Sequence, residues 1–210
     1  KGQYGLTVLK LIGGQLSPQQ GIVMVPPQLK LVFVAQEPLM LEDSLWKNLT
    51  LGAPDVAHDS PEAELIWKIT EALGLSQELQ RQPNTWVIAG GLNLRASDRA
   101  IVCLTRAFVS GAHVLLLAKP TSTFQEVTRQ RFYALMADWV YRRGIFQGDS
   151  SVDQVSVKFI NRSIDLASRS IILTTVEKSL PTQLTHIATI STNNTRGSVT
   201  QEMVTKEDPS

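Results

Sequence analysis

Hydrophobic residues along this chain fall into short runs of two kinds, and their alternation predicts an α/β architecture. Thr7-Val8-Leu9-Lys10-Leu11-Ile12 reads as a helix stopped by Gly13-Gly14, because glycine takes the left-handed conformation that ends helices without strain. Gly21-Ile22-Val23-Met24-Val25 and Leu29-Lys30-Leu31-Val32-Phe33-Val34, parted by the Pro26-Pro27 turn, read as two strands. From Ser60 the period lengthens: Ser60 suits a cap, Pro61 suits the first helical position, and Leu65, Ile66, Ile69 and Leu73 recur at helical spacing as far as Gly74. A second long helix is predicted between Leu94 and Ser110, with Ile101, Leu104, Thr105 and Phe108 on one face. The apolar run Val114-Leu115-Leu116-Leu117 follows directly and reads as a strand buried on both faces.

A third helix is predicted from Thr128 to Arg143, carrying Phe132, Leu135, Met136 and Trp139, then a polar loop from Gly144 to Asp153. Ser170 to Thr175 reads as another strand, and 200–210 as a polar tail. Strands alternating with helices imply a largely parallel sheet with helices on its faces.

Composition narrows the partners. A hydrophobic content of 43% in 210 residues is enough for a substantial core, and a net charge of +1 provides no global basic field for nucleic acid. Cys103 stands alone, so no internal disulfide framework exists, and its apolar helical setting reads as a small buried hydrophobe. No apolar stretch approaches the roughly 20 residues needed to cross a bilayer. Lys1 opens no signal-peptide pattern, which favours a non-secreted protein. The triplets at Asn48, Asn161 and Asn193 match glycosylation acceptors, but such triplets are common by chance and Asn48 lies among apolar residues.

In a P-loop, a glycine-rich turn leads into a helix whose backbone N–H groups cradle phosphates, with a lysine on the β- and γ-phosphates and a hydroxyl on Mg²⁺. The run from Leu9 to Gly21 resembles the helix and turn that follow the P-loop of an ABC transporter nucleotide-binding domain. That register takes in Gly2 and puts Tyr4 at the last loop glycine, Gly5 at the lysine, Leu6 at the magnesium-binding hydroxyl and Thr7 at the hydroxyl after it. Phe33-Val34-Ala35-Gln36-Glu37-Pro38-Leu39 resembles the next family element, with Gln36 at the glutamine that contacts Mg²⁺ and the attacking water. Leu41 to Gly52 resembles the exporter sequence that follows.

Gly90 to Arg99 stands where the family carries its Leu-Ser-Gly-Gly-Gln signature; Leu94 matches, and Arg95, Ala96, Ser97 and Asp98 replace the rest, with Asp98 expected to set a carboxylate near a phosphate. Cys103 to Phe108, including Arg106, keeps the family pattern. After the Walker B-like strand Val114 to Leu117, Ala118 and Lys119 replace the aspartate and glutamate that orient the metal shell and activate water. Pro120-Thr121-Ser122 matches again, Gln125 replaces a loop aspartate, and Val176 replaces the γ-phosphate histidine.

The resemblance implies a P-loop NTPase-like domain over 1–199, with a helical subdomain at about 53–110 and an insertion at about 144–159. It implies a catalytically degenerate partner in a membrane exporter, paired with a second ABC domain and transmembrane domains on the cytosolic or organellar-matrix face. The other reading is a pseudo-ATPase scaffold in a larger assembly without transport. No catalytic residue is expected, since the positions are lost at Ala118, Lys119 and Val176. The vestigial nucleotide-binding positions are Gly2, Tyr4, Gly5, Leu6, Thr7, Gln36, Arg95, Ala96 and Ser97. No metal or cofactor is expected, and any residual ATP binding should be weak and independent of Mg²⁺. The chain opens inside the P-loop, so a longer protein is expected.

Overall fold

The computed structural model describes residues 3–53, 56–60, 63–141, 170–174, 186–192 and 199–205. The first helix, α1 (Gln3–Ile12), starts four residues before the predicted Thr7 and takes Gly5 into its body. Its end is where the glycine pair demands it: the Gly13 N–H donates to Leu9 O at 2.8 Å, and Gly14 adopts φ +69°.

Three strands, β1 (Leu31–Val34), β2 (Val114–Ala118) and β3 (Ser170–Thr174), form a parallel sheet with β2 in the centre. Leu116 pairs with Phe33 on one side and Ile172 on the other. Leu115, Leu116 and Leu117 are fully buried, as the apolar run predicts. Side chains alternate across a strand, so the run serves two cores. Leu116 and Ala118 join Leu9 of α1 in one cluster, while Leu115 and Leu117 join the larger cluster containing Phe108, Phe132 and Trp139. Burying each leucine contributes roughly 1.5–3 kcal/mol, which makes β2 the spine of the molecule.

The strand expected at Gly21 to Val25 does not form. Ile22 and Met24 are almost wholly exposed, and no strand among the described residues pairs with this segment. Apolar β-branched composition favours a strand only when a partner satisfies its backbone groups.

Between β1 and β2 lie α2 (Leu45–Thr50), α3 (Ala63–Ala72), α4 (Gln77–Arg81) and α5 (Ala96–Val109). Ser44 caps α2 by accepting the Lys47 N–H, and α3 ends before Gly74 at φ +81°. Trp46 stacks on Trp67 at 5.0 Å, and each indole N–H finds a carbonyl, Val56 O and His58 O respectively. At the other end of α5, the Lys30 ammonium donates to Ser110 O at 2.5 Å, placing a cation at the helix C-terminus. The predicted third helix is α6 (Glu126–Tyr141), with Phe132, Leu135, Met136 and Trp139 buried.

Two further strands, β4 (His186–Thr192) and β5 (Val199–Thr205), pair antiparallel in a separate sheet. This corrects the expected tail of 200–210 over 200–205, the rest lying outside the described residues: the β-branched residues Val199, Thr200, Val204 and Thr205 give the segment strand character once β4 supplies a partner. Gly2, Val176 and the expected insertion at 144–159 lie outside the described residues.

Candidate functional site

The carboxyl ends of the three parallel strands and the start of α1 bring several of the sequence-marked positions together. Thr174, the last residue of β3, is the meeting point. A Cβ at Gly5 would lie 2.7 Å from the Thr174 methyl Cγ2, so the absence of a side chain at Gly5 allows the helix and strand to approach. On its other flank Thr174 accepts two hydrogen bonds from the Lys119 N–H, at its backbone oxygen and at Oγ1, both 3.1 Å. Lys119 is held there at φ +47°, a left-handed conformation that L residues seldom adopt. No local sequence pattern marks Thr174 for this role.

Leu6 and Ala118 belong to one apolar cluster with Leu9 and Leu116, and Ala118 is almost completely buried. Mg²⁺ takes oxygen ligands. A leucine and an alanine offer none, so the residues at these two positions do not fit the metal that the resemblance would bring to them. Thr7 is on the exposed side of α1, and Tyr4 lies within the helix, its side chain outside the described part.

Gln36 is exposed just beyond β1 and lines a small hollow together with Lys119, Pro120 and Ser122, backed by Ala100 and Leu104 of α5. The structure therefore brings Gln36 to Lys119. Arg95, Ala96 and Ser97 do not line this hollow; they stand at the start of α5, where Arg95 occupies the cap position without a side-chain capping bond.

The expectation for Asp98 is overturned. It is buried in the first turn of α5 and accepts the backbone N–H of Ser76, which precedes α4, rather than projecting towards an anion site. Burial raises its pKa, and the Ser76 N–H and the Arg95 charge oppose that rise. Its role is to hold α5 against the start of α4.

Behind the signature-like segment, Arg106 donates from Nε to Asn48 O, from Nη2 to Asn48 Oδ1 and from Nη1 to Leu39 O. Desolvation lowers the Arg106 pKa, with the Cys103 thiol opposing. Burial likewise pushes the Cys103 thiol up, which keeps it in its unreactive form and agrees with its reading as a buried hydrophobe. Asn48 saturates its amide on Leu41 and Ser44. That use of Asn48 was signalled only by its position inside an apolar run.

The segments 39–46 and 85–91 are stitched together: Leu45 N–H donates to Thr85 O, Val87 N–H to Asp43 O and Ala89 N–H to the Glu42 carboxylate. Along this seam Leu39, Leu41, Trp86, Ile88 and Leu92 are exposed. Among the described residues, no helix is long and apolar enough to cross a membrane.

A parallel sheet flanked by helices, with a glycine-stopped helix packed beneath its central strand, defines a P-loop NTPase-like α/β domain. No family model matches the chain. It is 29% identical over 158 residues to the aliphatic sulfonates import ATP-binding protein SsuB of Granulibacter bethesdensis, covering 73% of this chain and 60% of that protein. It is 34% identical over 137 residues to SsuB 1 of Pseudomonas fluorescens, covering 64% of this chain and 47% of the relative. The transport system ATP-binding/permease protein CydC of Bacillus subtilis is 25% identical over 146 residues, covering 63% of this chain and 25% of that protein. Among solved structures, a bacterial Atm1-family ABC exporter with ATP bound matches with a TM-score of 0.54 at 16% identity, over 80% of this chain and 27% of the other, a likeness of fold. These likenesses support an ABC-type nucleotide-binding domain. It spans 60% or less of the length of each of these relatives.

Proposed function

We infer that this domain is the non-hydrolysing partner in a membrane exporter, paired with a second ABC domain and docked on transmembrane helices. The observation that carries the reading is the packing of Leu6 and Ala118 in one apolar cluster, beside a Gly5 whose side-chain space is taken by Thr174. Phosphoryl transfer depends on positioning and charge neutralisation. An apolar cluster at two metal-handling positions, and a cation in place of a carboxylate at Lys119, work against each of these at once. A protonated lysine cannot act as the general base, a function typically worth about 10²- to 10⁴-fold in rate.

The exposed seam of Leu39, Leu41, Trp86, Ile88 and Leu92 supports docking, because an apolar surface of this kind suits a partner of membrane-protein character. Such a domain would transmit movement to membrane helices through Gln36 to Leu45 while the second domain performs hydrolysis. The test is ATP turnover by the purified protein with magnesium. Turnover no faster than in buffer is the expected outcome, and magnesium-dependent turnover that disappears in Gln36→Ala would overturn the reading.

A further inference from the structure

Two exposed apolar strips, Leu39 with Leu41 and Trp86 with Ile88 and Leu92, are both tied to α5. Arg99 and Arg106 stand seven residues apart in that helix, which puts them on one face, two turns from each other. Arg106 donates to Leu39 O at 3.3 Å and to Asn48 Oδ1, the same oxygen that accepts the Leu41 N–H at 2.8 Å. Arg99 donates from Nη1 to Gly91 O at 3.1 Å and to Leu94 O at 3.0 Å. One guanidinium thus holds the backbone of each strip. Apart from an isolated bridge between Ser44 and Trp86, neither strip lies in a helix or strand, so its backbone groups depend on such partners.

The strips are also closed on each other. The Val87 N–H donates to Asp43 O, and the N–H of Ala89, a residue at φ +47°, donates to the Glu42 carboxylate at 3.2 Å. A Cβ at Gly91 would lie 2.7 Å from Arg99 Cδ and 2.9 Å from Met40 Cγ, so the first strip, the second strip and α5 meet at a position without a side chain. Met40 is buried there while its neighbours Leu39 and Leu41 are exposed.

We propose that Arg99 and Arg106 are positioning residues that fasten both strips to α5 as one body, so that a displacement of α5 shifts the whole apolar face. The use of that movement rests on the reading of this face as the docking surface for a membrane partner. A guanidinium carries its donors on one rigid plane and so fixes orientation as well as distance; lysine keeps the charge and loses the fork.

Heteronuclear NMR relaxation on the full chain tests this, because order at each amide is read in the folded protein and a uniform loss of stability does not move it. A thermal melt confirms that Arg99→Lys and Arg106→Lys are folded at the working temperature. Arg106→Lys is expected to lower order at Leu41 and also at Val87 and Ala89, whose N–H groups go to Asp43 and Glu42 rather than to α5. Arg99→Lys is expected to lower it at Gly91 and also at Leu41. The fall runs from the rigid value of about 0.85 towards about 0.6, with Leu115 and Leu116 of β2 unchanged. Loosening confined to the strip that each arginine holds, loosening of β2 to the same degree, or none at all overturns the proposal. Glu42→Ala, an exposed change that leaves α5 alone, provides a second arm. It should loosen Ala89 and leave Leu41 rigid; loosening of Leu41 there would show that the strips hold each other without α5, which also overturns the proposal. Neither ATP turnover nor partner binding enters these values, so failure of the functional reading and failure of this proposal are separate results.

Discussion

The Arg106 guanidinium clasps Asn48 twice, through Nε to the backbone oxygen at 2.9 Å and through Nη2 to Oδ1 at 3.1 Å. One planar fork thereby joins α5 to α2, and a third donor reaches Leu39 O in the segment between β1 and α2. Arg106→Ala should cost about 1–3 kcal/mol, because it removes charge-assisted donors from Asn48 O, Asn48 Oδ1 and Leu39 O. Arg106→Lys should recover little of this, since a point charge cannot reproduce the fork. Urea unfolding of the two variants checks both statements, and a cycle with Asn48→Ala should be strongly non-additive.

Gly5 and Thr174 make a second coupled pair. Alanine is the better helix former by about 1 kcal/mol, so Gly5→Ala would stabilise α1 in isolation. In the folded protein the new Cβ meets the Thr174 methyl at 2.7 Å, and a β-branched side chain yields poorly. The substitution should therefore destabilise, by about 1–3 kcal/mol as overpacking does. Thr174→Ser removes that methyl and keeps the hydroxyl that accepts the Lys119 N–H. Thermal unfolding should show Gly5→Ala harmful in the native background and neutral or better with Thr174→Ser; equal effects in both would exclude the steric account.

Asp98 provides a pH dependence of defined sign. Its folded pKa is raised above the ordinary 3.8, chiefly by burial, so the folded state holds this proton more tightly than the unfolded chain. The contribution of Asp98 is fully present below the unfolded value and is lost as pH rises through the raised folded value. Asp98→Asn should flatten this part of the stability profile. Unfolding free energies measured in steps upward from about pH 4 test it, and an unchanged slope in the variant would be inconsistent with the assignment.

The central strand offers a test of the core. Leu116→Ala removes a fully buried side chain from the cluster beneath α1 and should cost about 2–5 kcal/mol. Ile172→Ala, on the partly exposed neighbour, should cost much less. Denaturant midpoints of the two variants make the comparison.

The sheet was legible because Val114 to Leu117 is apolar on both faces, which few environments other than a central parallel strand satisfy. The α5 and α6 faces were legible from their spacing for the same reason: burial there follows from the local pattern. Ile22 to Val25 misled because composition states a preference for strands and says nothing about whether a partner is at hand. Asp98 misled for a different reason. Its helical position was right, but whether its carboxylate faces outward or accepts the Ser76 N–H depends on where α4 lies, which no local pattern records. Thr174 was invisible as a functional neighbour because its contacts reach Gly5 and Lys119, far away along the chain.

The fit between Gly5 and Thr174 also ties the two positions together under substitution. A single substitution placing lysine at position 5 would drive its Cβ into the Thr174 methyl and be penalised before it could offer any benefit. A change at Thr174 alone would loosen the junction of helix and strand, with nothing gained in return. Either path to a charged side chain at this position passes through a less stable intermediate, so single substitutions tend to preserve the uncharged state.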